Sequence, residues 1–428
     1  MKLPTRTWLA CKSRVRATTF NAMPFVCLLA LGRSVAAQDV LAPPPASPPV
    51  TPPALLQAED EEGVVQQPEP PPAAPLETEP FRWGPLTLQP HLFYRFLYGT
   101  GIQSSPGKPA NTIVNQVSPG LFVNYGTHWS LDYTPMWTLY SNKDFRDSLD
   151  HAAIITGGGA YQNWILKLSQ SYGSSSAPIV QTGQQTRQAT YLTTLTASYR
   201  FNPQMVLELE ADQSLQFAEH LAEIHEWSTL NWLNYQFSSS FTAGAGLGLG
   251  YIDVLGAVNS VYEQGQGRIQ WRPTQKVNVE VRGGVEDLQY VDVDTPDLVT
   301  PVFGALARYR PTEVTTLSVG ADRTVDATVF DDQLTENTRF HGSISQRFLK
   351  KLYLTVGADY DEAKYIAATS TTTAGREDDY FTLGARLSGT ILKRIKIAAL
   401  YQHSENTSNR GGFAFISNQF GVELTCRY

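Results

Sequence analysis

From Leu86 to the end of the chain, apolar and polar side chains alternate with a period of two residues. Between Trp129 and Leu139 every odd position is apolar, whereas the even positions begin with Ser130 and Asp132. A period of two places the two sets of side chains on opposite faces of a β-strand. The pattern predicts an all-β fold of about 18 strands, with 16 as the lower bound. The same alternation recurs in residues 191–199, 205–215, 277–285, 352–360 and 381–391.

The connections between the predicted strands alternate between short and long. Residues 202–203 and 273–275 are short turns, whereas residues 100–111 and 173–186 are long connections. Short turns at one rim and long loops at the other are typical of β-barrels in the bacterial outer membrane. We therefore predict a closed antiparallel transmembrane β-barrel over residues 81–428, with both ends of the barrel chain in the periplasm.

Aromatic residues concentrate where the two membrane interfaces would lie. Tyr125 and Trp129 stand beside a short turn, and Tyr98 and Trp227 stand beside long connections. Aromatic rings with a polar edge settle at both interfaces of a membrane and form two girdles around a barrel. The distribution of these rings therefore supports the membrane-spanning interpretation of the strands.

The last predicted strand carries its own pattern. Phe420, Val422, Leu424 and Tyr428 share one apolar face, which ends in a terminal aromatic residue. This face resembles the signal that the outer-membrane assembly machinery reads on a terminal strand. Cys426 lies on the same face, where a small apolar side chain is expected to contact lipid.

Two segments precede the barrel. Residues 1–37 have six basic residues, no acidic residue, an apolar stretch and small residues at the end, as in a secretory signal peptide. Residues 38–80 contain eight acidic residues and no Lys or Arg, and 13 of the residues in 42–80 are proline. Proline disfavours both helix and sheet. We predict a disordered, acidic periplasmic linker, and a periplasmic partner of this linker remains an open alternative to an inert spacer.

A family resemblance follows from one part of the predicted barrel. The stretch HWSLDYTPMWTLYSN from His128 to Asn142, continued by FRDSLD from Phe145 to Asp150, resembles the outer-membrane β-barrel porin families of Gram-negative bacteria. The family called putative beta-barrel porin 2 is the most similar. The resemblance spans residues 86–428 and implies a location and a fold rather than a substrate.

Composition and motifs exclude several classes of function. A formal net charge of −7 argues against a nucleic-acid-binding protein, which usually presents a basic face. The nucleophile elbow, zinc-protease and phosphate-loop motifs are missing from the sequence, so we expect neither an enzyme nor a cofactor. His220 and His225 are weak candidates for a metal site, since their spacing suits one face of neither a helix nor a strand. Asp292, Asp294 and Asp297 could hold Ca²⁺ through their oxygens, but an acidic loop is the preferred interpretation.

The predicted inner face carries charges of both signs. Charged residues that line a water-filled barrel set its ion preference. Counting outward from the turn at residues 273–275 places Arg268 opposite Glu280, and a symmetric next loop would place Arg308 on the other side of Glu280. The candidate pore-lining residues are Glu208, Glu210, Asp212, Arg268, Arg272, Lys276, Glu280, Arg282, Arg308 and Arg310.

The sequence predicts a passive channel for small hydrophilic solutes or ions, because an 18-stranded barrel can enclose an aqueous lumen. The alternative is a structural or export-accessory barrel, for example in surface polysaccharide export, that docks a periplasmic partner through residues 38–80. Outer-membrane lipid and the assembly machinery are the expected partners in both cases, and the oligomeric state stays open.

Overall fold

The computed structural model describes residues 81–291, 296–328, 333–349, 351–367, 375–392 and 394–427. The predicted signal peptide, the predicted linker and Tyr428 lie outside these residues. The described residues form 21 β-strands. These are β1 (Phe81–Trp83), β2 (Leu86–Ser105), β3 (Lys108–Tyr125), β4 (Trp129–Tyr140), β5 (Ser148–Tyr161), β6 (Trp164–Ser175), β7 (Pro178–Ile179), β8 (Gln184–Gln185), β9 (Gln188–Asn202), β10 (Met205–Ala218), β11 (Ile224–Ser238), β12 (Phe241–Val254), β13 (Ser260–Thr274), β14 (Val277–Tyr290), β15 (Leu298–Thr312), β16 (Thr315–Ala327), β17 (Gln333–Phe348), β18 (Leu352–Ala367), β19 (Glu377–Leu392), β20 (Ile395–Ser408) and β21 (Phe415–Arg427).

Eighteen of these strands form one closed antiparallel barrel, as the alternating sequence pattern predicts. Each strand from β2 to β6 and from β9 to β21 pairs with its neighbours along the chain, and β6 pairs directly with β9. The ring closes where β21 pairs with β2, with Leu92 opposite Cys426 and Thr100 opposite Asn418. Pairing of β21 with β2 leaves neither end of the sheet as an open edge, which a strand exposed to lipid could not tolerate. The shortest strand pair, β7 and β8, lies outside the ring.

The two faces of the barrel differ in chemistry. On β13 the inner face carries Gln264, Gln266 and Arg268, all of them buried, whereas Ile269 and Trp271 point outward and are exposed. Exposed apolar side chains recur on the outer face around the ring, and they include aromatic residues near both rims. An outward apolar surface combined with a polar interior is the arrangement that a bilayer imposes on a barrel.

The two rims also differ. One rim, called the turn rim below, carries the short connections, and the other, called the loop rim, carries most of the long ones. Both ends of the described chain lie at the turn rim, because Phe81–Trp83 pairs with the start of β2 and the Arg427 N–H donates to the Arg394 carbonyl. The long loop predicted at residues 100–111 is wrong, since β2 and β3 continue pairing to a tight turn at Pro106 and Gly107.

One loop-rim connection folds into the mouth of the barrel. Residues 176–187, between β6 and β9, contain the short hairpin of β7 and β8, and both of these strands contact β2. Val180 from this loop packs in one buried cluster with Leu97, Val114 and Tyr140, whose side chains are on the inner face of the wall. The loop is therefore held inside the barrel by apolar packing.

A second segment covers the opposite part of the same mouth. Pairing between β15 and β16 stops at Phe303 and Arg323, although β16 continues to pair with β17. Beyond that point Val325 and Leu334 are buried in a cluster with inner-face residues of β11 to β14. This distal part of the β16–β17 hairpin has thus left the wall and packs across it. The other buried members of the cluster are Ala222, Ile224, Ile252, Val254, Tyr262, Leu288 and Ala327.

Candidate functional site

The predicted pore-lining residues are almost all on the inner face. Glu208, Glu210 and Asp212 occupy the inner face of β10, and the other strand residues of the set share this face on β13, β14 and β15. Lys276 is the exception, because it lies in the turn between β13 and β14 and its ammonium group donates to the Pro311 carbonyl at 2.8 Å. The remaining inner-face members are Arg268, Arg272, Glu280, Arg282, Arg308 and Arg310.

The predicted charge row of Arg268, Glu280 and Arg308 is wrong. Arg268 lies opposite Arg282, and Glu280 lies between Gln270 and Leu306. The turn closes with Thr274 opposite Val277, and a register shift follows between Trp271 and Thr274. The pairing is therefore displaced by two residues from a symmetric count. A shift of two keeps each side chain on its predicted face, so only the partners change.

A cross-strand row of opposite charges does exist on another part of the wall. Asp322, Arg339 and Asp361 lie directly opposite one another on β16, β17 and β18. The Arg339 guanidinium donates to the Asp361 carboxylate. Direct cross-strand pairs of opposite charge each contribute roughly 0.2–1 kcal/mol. This row contains one base between two acids, which is the reverse of the predicted composition.

Arg268 is the centre of the contacts on the β10–β13 wall. Its guanidinium donates to Glu208 at 2.6 Å and to the side-chain oxygen of Asn234 at 2.7 Å. It also lies 4.6 Å from the centre of the Trp232 ring, in a cation–π arrangement. Arg268 therefore reaches from β13 past β12 and β11 to an acid on β10.

Glycines on β12 make this reach possible. The inner face of β12 carries Gly244, Gly246, Gly248 and Gly250 in succession. A Cβ atom at Gly246 would stand 2.8 Å from the Trp232 indole, so only glycine lets the ring lie flat against the strand. Because the inner face of β12 has no side chains at these positions, it accommodates side chains from both neighbouring strands. Sequence reasoning missed this role, although the alternating glycines in AGAGLGLG are visible in the sequence.

A second charged group, which was not predicted, spans the seam between the first and last barrel strands. Arg95 on β2 donates to Glu423 on β21 at 2.8 Å, and both side chains are almost completely buried. Arg386 on β19 pairs with the other oxygen of the same carboxylate. Arg95 also donates to the side-chain oxygen of Gln116 on β3. One buried acid therefore joins strands on both sides of the closure.

A third unpredicted residue fixes the loop inside the barrel mouth. Arg376 is fully buried, donates to the Gln181 carbonyl at 2.7 Å and pairs with Asp378. Its guanidinium also lies 3.6 Å from the centre of the Phe413 ring. Arg376 falls in a long connection of the sequence pattern, where an arginine is usually solvated, so its role had no sequence signal.

The weak metal candidates do not form a site with each other. His220 is almost fully exposed in the loop between β10 and β11, with a positive φ of 62°. His225 is on the outer face of β11, 4.0 Å from Asp253. Within the described ranges, no group of three His, Cys, Asp or Glu side chains is placed to hold a metal ion.

The predicted assembly face is on the outer surface of β21. Phe420 and Val422 are half exposed, and Leu424 is on the same face nearer the turn rim. Tyr428, the last member of the predicted signal, lies outside the described residues. Recognition of this face by the assembly machinery stays a prediction.

These features together define a class of protein. A closed 18-stranded antiparallel barrel, apolar outside and charged inside, is a porin-like β-barrel of the outer membrane. Residues 261–428, from β13 to the end of the chain, match the family model described as putative beta-barrel porin 2. The match confirms the resemblance to this porin family over these residues, whereas the stretch at residues 128–150 that carried the resemblance in the sequence lies outside the match.

Comparison with other proteins adds distant likenesses. A search of curated protein sequences finds no match. Among solved structures, OpdO of Pseudomonas aeruginosa is 12% identical with a TM-score of 0.44, over 80% of this chain and 97% of that one. OccAB3 of Acinetobacter baumannii is 11% identical with a TM-score of 0.43, over 80% of this chain and 99% of that one. Likenesses this distant do not indicate what this chain transports.

Proposed function

We propose that the protein is a passive channel for small hydrophilic solutes or ions across the outer membrane. The observation that carries the proposal is the inner wall, where charged and amide side chains such as Arg268, Glu208 and Gln266 line a barrel whose outer face is apolar. An inner face of this kind favours water and polar solutes over lipid, and the wall of an 18-stranded barrel is long enough to surround an aqueous path.

Both signs of charge contribute to the proposed selectivity. The Arg268–Glu208 pair and the Asp322–Arg339–Asp361 row lie on different parts of the wall. Paired charges still shape the field along a water-filled path, so solutes of either sign encounter a structured wall. The two infolded segments at the loop rim reduce the open cross-section before a solute reaches these charges.

The test is conduction by the full chain. Purified protein in a planar lipid bilayer should produce stepwise currents in potassium chloride, and vesicles that contain it should swell in small sugars but not in large ones. Swelling that does not depend on solute size, or bilayers that stay silent with correctly folded protein, would contradict a passive channel. The comparisons provide no support for the export-accessory alternative.

A further inference from the structure

The charges on the inner wall are distributed unevenly along the barrel axis. An inner-face residue within six positions of the strand end at the turn rim belongs to what we call the turn half of the wall, and the other inner-face residues belong to the loop half. In the described barrel strands, the turn half contains eleven basic and five acidic residues. The basic residues within two positions of the strand end are Arg200, Arg272, Arg310, Arg347, Lys396 and Arg427.

Burial makes the turn half more basic than the count suggests. The other basic residues of this half are Lys167, Arg268, Arg282, Arg308 and Arg386, and the acidic residues are Asp132, Glu208, Glu210, Glu280 and Glu423. Asp132 and Glu423 are almost completely buried, whereas Arg268 is the only buried base among the described residues of this half. The accessible surface of the turn half is therefore mainly basic.

The loop half has the opposite sign. Its nine acidic residues in the described strands outnumber its three basic residues, which are Arg95, Lys108 and Arg339. Four of the acids are partly exposed, namely Asp212, Glu226, Asp322 and Asp359. The buried acids are Asp150, Glu286, Asp326, Asp361 and Asp378. The connections at the loop rim, with the four described strand residues on either side of each, add to this sign, because they contain sixteen acidic and seven basic residues.

The two halves are far enough apart to act separately on a solute. A strand such as β10 has 14 residues. At about 3.3 Å per residue and a tilt of roughly 40°, a strand of this length rises about 35 Å along the axis, so the centres of the two halves are roughly 18 Å apart. Charges are screened beyond about 8 Å at physiological ionic strength. An ion in one half therefore responds mainly to the charges of that half.

We propose that the lumen is a bipolar path, with an anion-attracting turn half and a cation-attracting loop half, and that it favours zwitterionic solutes over uncharged solutes of the same size. This inference rests on the proposed channel function and adds the class of solute. The charged walls of a narrow path raise the local concentration of ions of the opposite sign.

A zwitterion is the kind of solute that both halves attract at once. At the boundary between the halves, its cationic group is drawn toward the loop half and its anionic group toward the turn half. An ion of one sign is attracted by one half and repelled by the other, and a neutral solute is attracted by neither. The boundary is sharp on one part of the wall, where Arg282 of the turn half and Asp322 of the loop half lie on either side of Gly304 in one cross-strand row.

The same division predicts currents that depend on the direction of the voltage. When the loop side is positive, cations in the loop half and anions in the turn half are both driven toward the boundary, where they accumulate and raise the conductance. The opposite voltage drives both kinds of ion away from the boundary and lowers the conductance. At 1 M salt, charges are screened beyond about 3 Å, so the asymmetry should disappear.

Single-channel currents of the full chain test this division. An antibody to a short tag inserted after the exposed Gly411 marks the side of the bilayer that carries the loop rim. At about 0.1 M salt we expect roughly twice the conductance with the loop side positive as with it negative, and at about 1 M salt we expect equal conductances. Symmetric currents at the lower salt concentration, or larger currents at the opposite polarity, would overturn the proposal.

Two variants with the same change in net charge separate the position of the charges from their total. Arg310→Gln with Arg347→Gln removes two bases from the turn half, whereas Lys143→Gln with Lys364→Gln removes two bases at the loop rim. The first variant should lose much of the asymmetry, and the second should keep or increase it. Mobility on unheated gels shows whether each barrel is folded. Equal asymmetry in the two folded variants would contradict a bipolar path, and the salt dependence of the native chain decides the matter if a variant does not fold.

Swelling of vesicles that contain the protein tests the class of solute. Glycine and glycolamide are isomers, but only glycine is a zwitterion. Through the native barrel, we expect glycine to enter roughly twice as fast as glycolamide, because the field of each half attracts one of its charges. The ratio should fall toward one in the variant that lacks Arg310 and Arg347. A ratio of one in the native barrel would overturn the preference for zwitterions.

These outcomes also distinguish the bipolar path from the proposed function. Silent bilayers with a correctly folded barrel would refute the channel, and the solute preference would fall with it. A conducting barrel with symmetric currents at low salt, and with equal entry of the two isomers, would refute the bipolar path and leave the channel standing.

Discussion

Arg95 and Glu423 lie directly opposite each other on the first and last strands of the barrel, and their charged groups meet at 2.6 Å with both side chains almost completely buried. They are 328 residues apart in the sequence. Removing one partner of a buried ion pair leaves an uncompensated charge and typically costs roughly 3–5 kcal/mol. Loss of either partner is therefore expected to destabilise the closed ring at the point where its two ends meet.

Changing Glu423 to Gln should weaken that closure. The variant leaves Arg95 and Arg386 without their shared carboxylate, so we expect unfolding in urea to begin at a clearly lower concentration. The measurement is the shift from folded to unfolded mobility on unheated gels. Glu405→Gln, which removes a half-exposed acid from β20, is the matched control and should behave like the native chain. Equal midpoints for the two variants would contradict a role for the seam pair.

Changing the charges around Arg268 should alter ion selectivity. Glu208→Gln removes a negative charge from the inner wall, so we expect a shift toward anions, whereas Arg268→Gln should shift the preference toward cations. Reversal potentials under a salt gradient measure both. Glu263→Gln, on the outer face of the same strand as Arg268, is the control and should leave the reversal potential unchanged. If both inner-wall variants have the same reversal potential as the control, Arg268 and Glu208 do not face the conducting path.

The inner-face glycine positions of β12 should not accommodate even the methyl side chain of alanine. Gly246→Ala places a methyl group against the Trp232 indole, and overpacking of this kind typically costs roughly 1–3 kcal/mol. We expect a lower unfolding midpoint in urea for this variant. Gly265→Ala on β13 is the control, because the nearest atom to the added methyl group would belong to Leu247, 4.0 Å away. A midpoint for Gly246→Ala as high as that of the control would show that Trp232 can move away freely.

Releasing the loop at residues 176–187 should widen the mouth. Arg376→Gln removes the guanidinium that donates to the Gln181 carbonyl, so we expect larger and noisier single-channel currents. Lys364→Gln, which removes an exposed charge at the same rim, should leave the currents as they are. Unchanged currents in Arg376→Gln, with protease sensitivity of the loop also unchanged, would mean that apolar packing around Val180 alone holds it.

The outer face of β21 should tolerate charge poorly. Val422→Lys places a cation against lipid, which costs roughly 2–4 kcal/mol near the middle of the bilayer. We expect less protein in isolated outer membranes than for Thr425→Lys, whose side chain is on the inner face of the same strand. Equal amounts of the two variants would argue against a lipid-facing role for Val422.

The faces of the strands could be predicted from the sequence, but their partners could not. Arg268 and Glu280 are both on the inner face, because alternation alone decides the face of a residue. The predicted pairing of Arg268 with Glu280 was wrong, because a register shift at the turn moves each partner by two residues without changing its face. The meeting of Arg95 with Glu423 depends on how far the whole ring is staggered, and no local pattern encodes that quantity.

The two segments that fold into the barrel mouth could not be predicted from the sequence, for a related reason. Val180 and Val325 look like ordinary residues of a long connection and a strand end. Their burial depends on inner-face residues contributed by several distant strands, including Leu97 and Leu288. The glycines of β12 were the opposite case, since their spacing was visible and only its physical meaning was overlooked.

The loop between β6 and β9 has a consequence for what the cell displays. Ile179 and Val180 are buried in the barrel mouth, so an antibody or a bacteriophage that approaches from outside would not reach them. The neighbouring loop with His220 is exposed instead. Recognition of this protein by immune molecules or viruses would therefore concentrate on a few acidic loops, and variation there could change that recognition without disturbing the path through the wall.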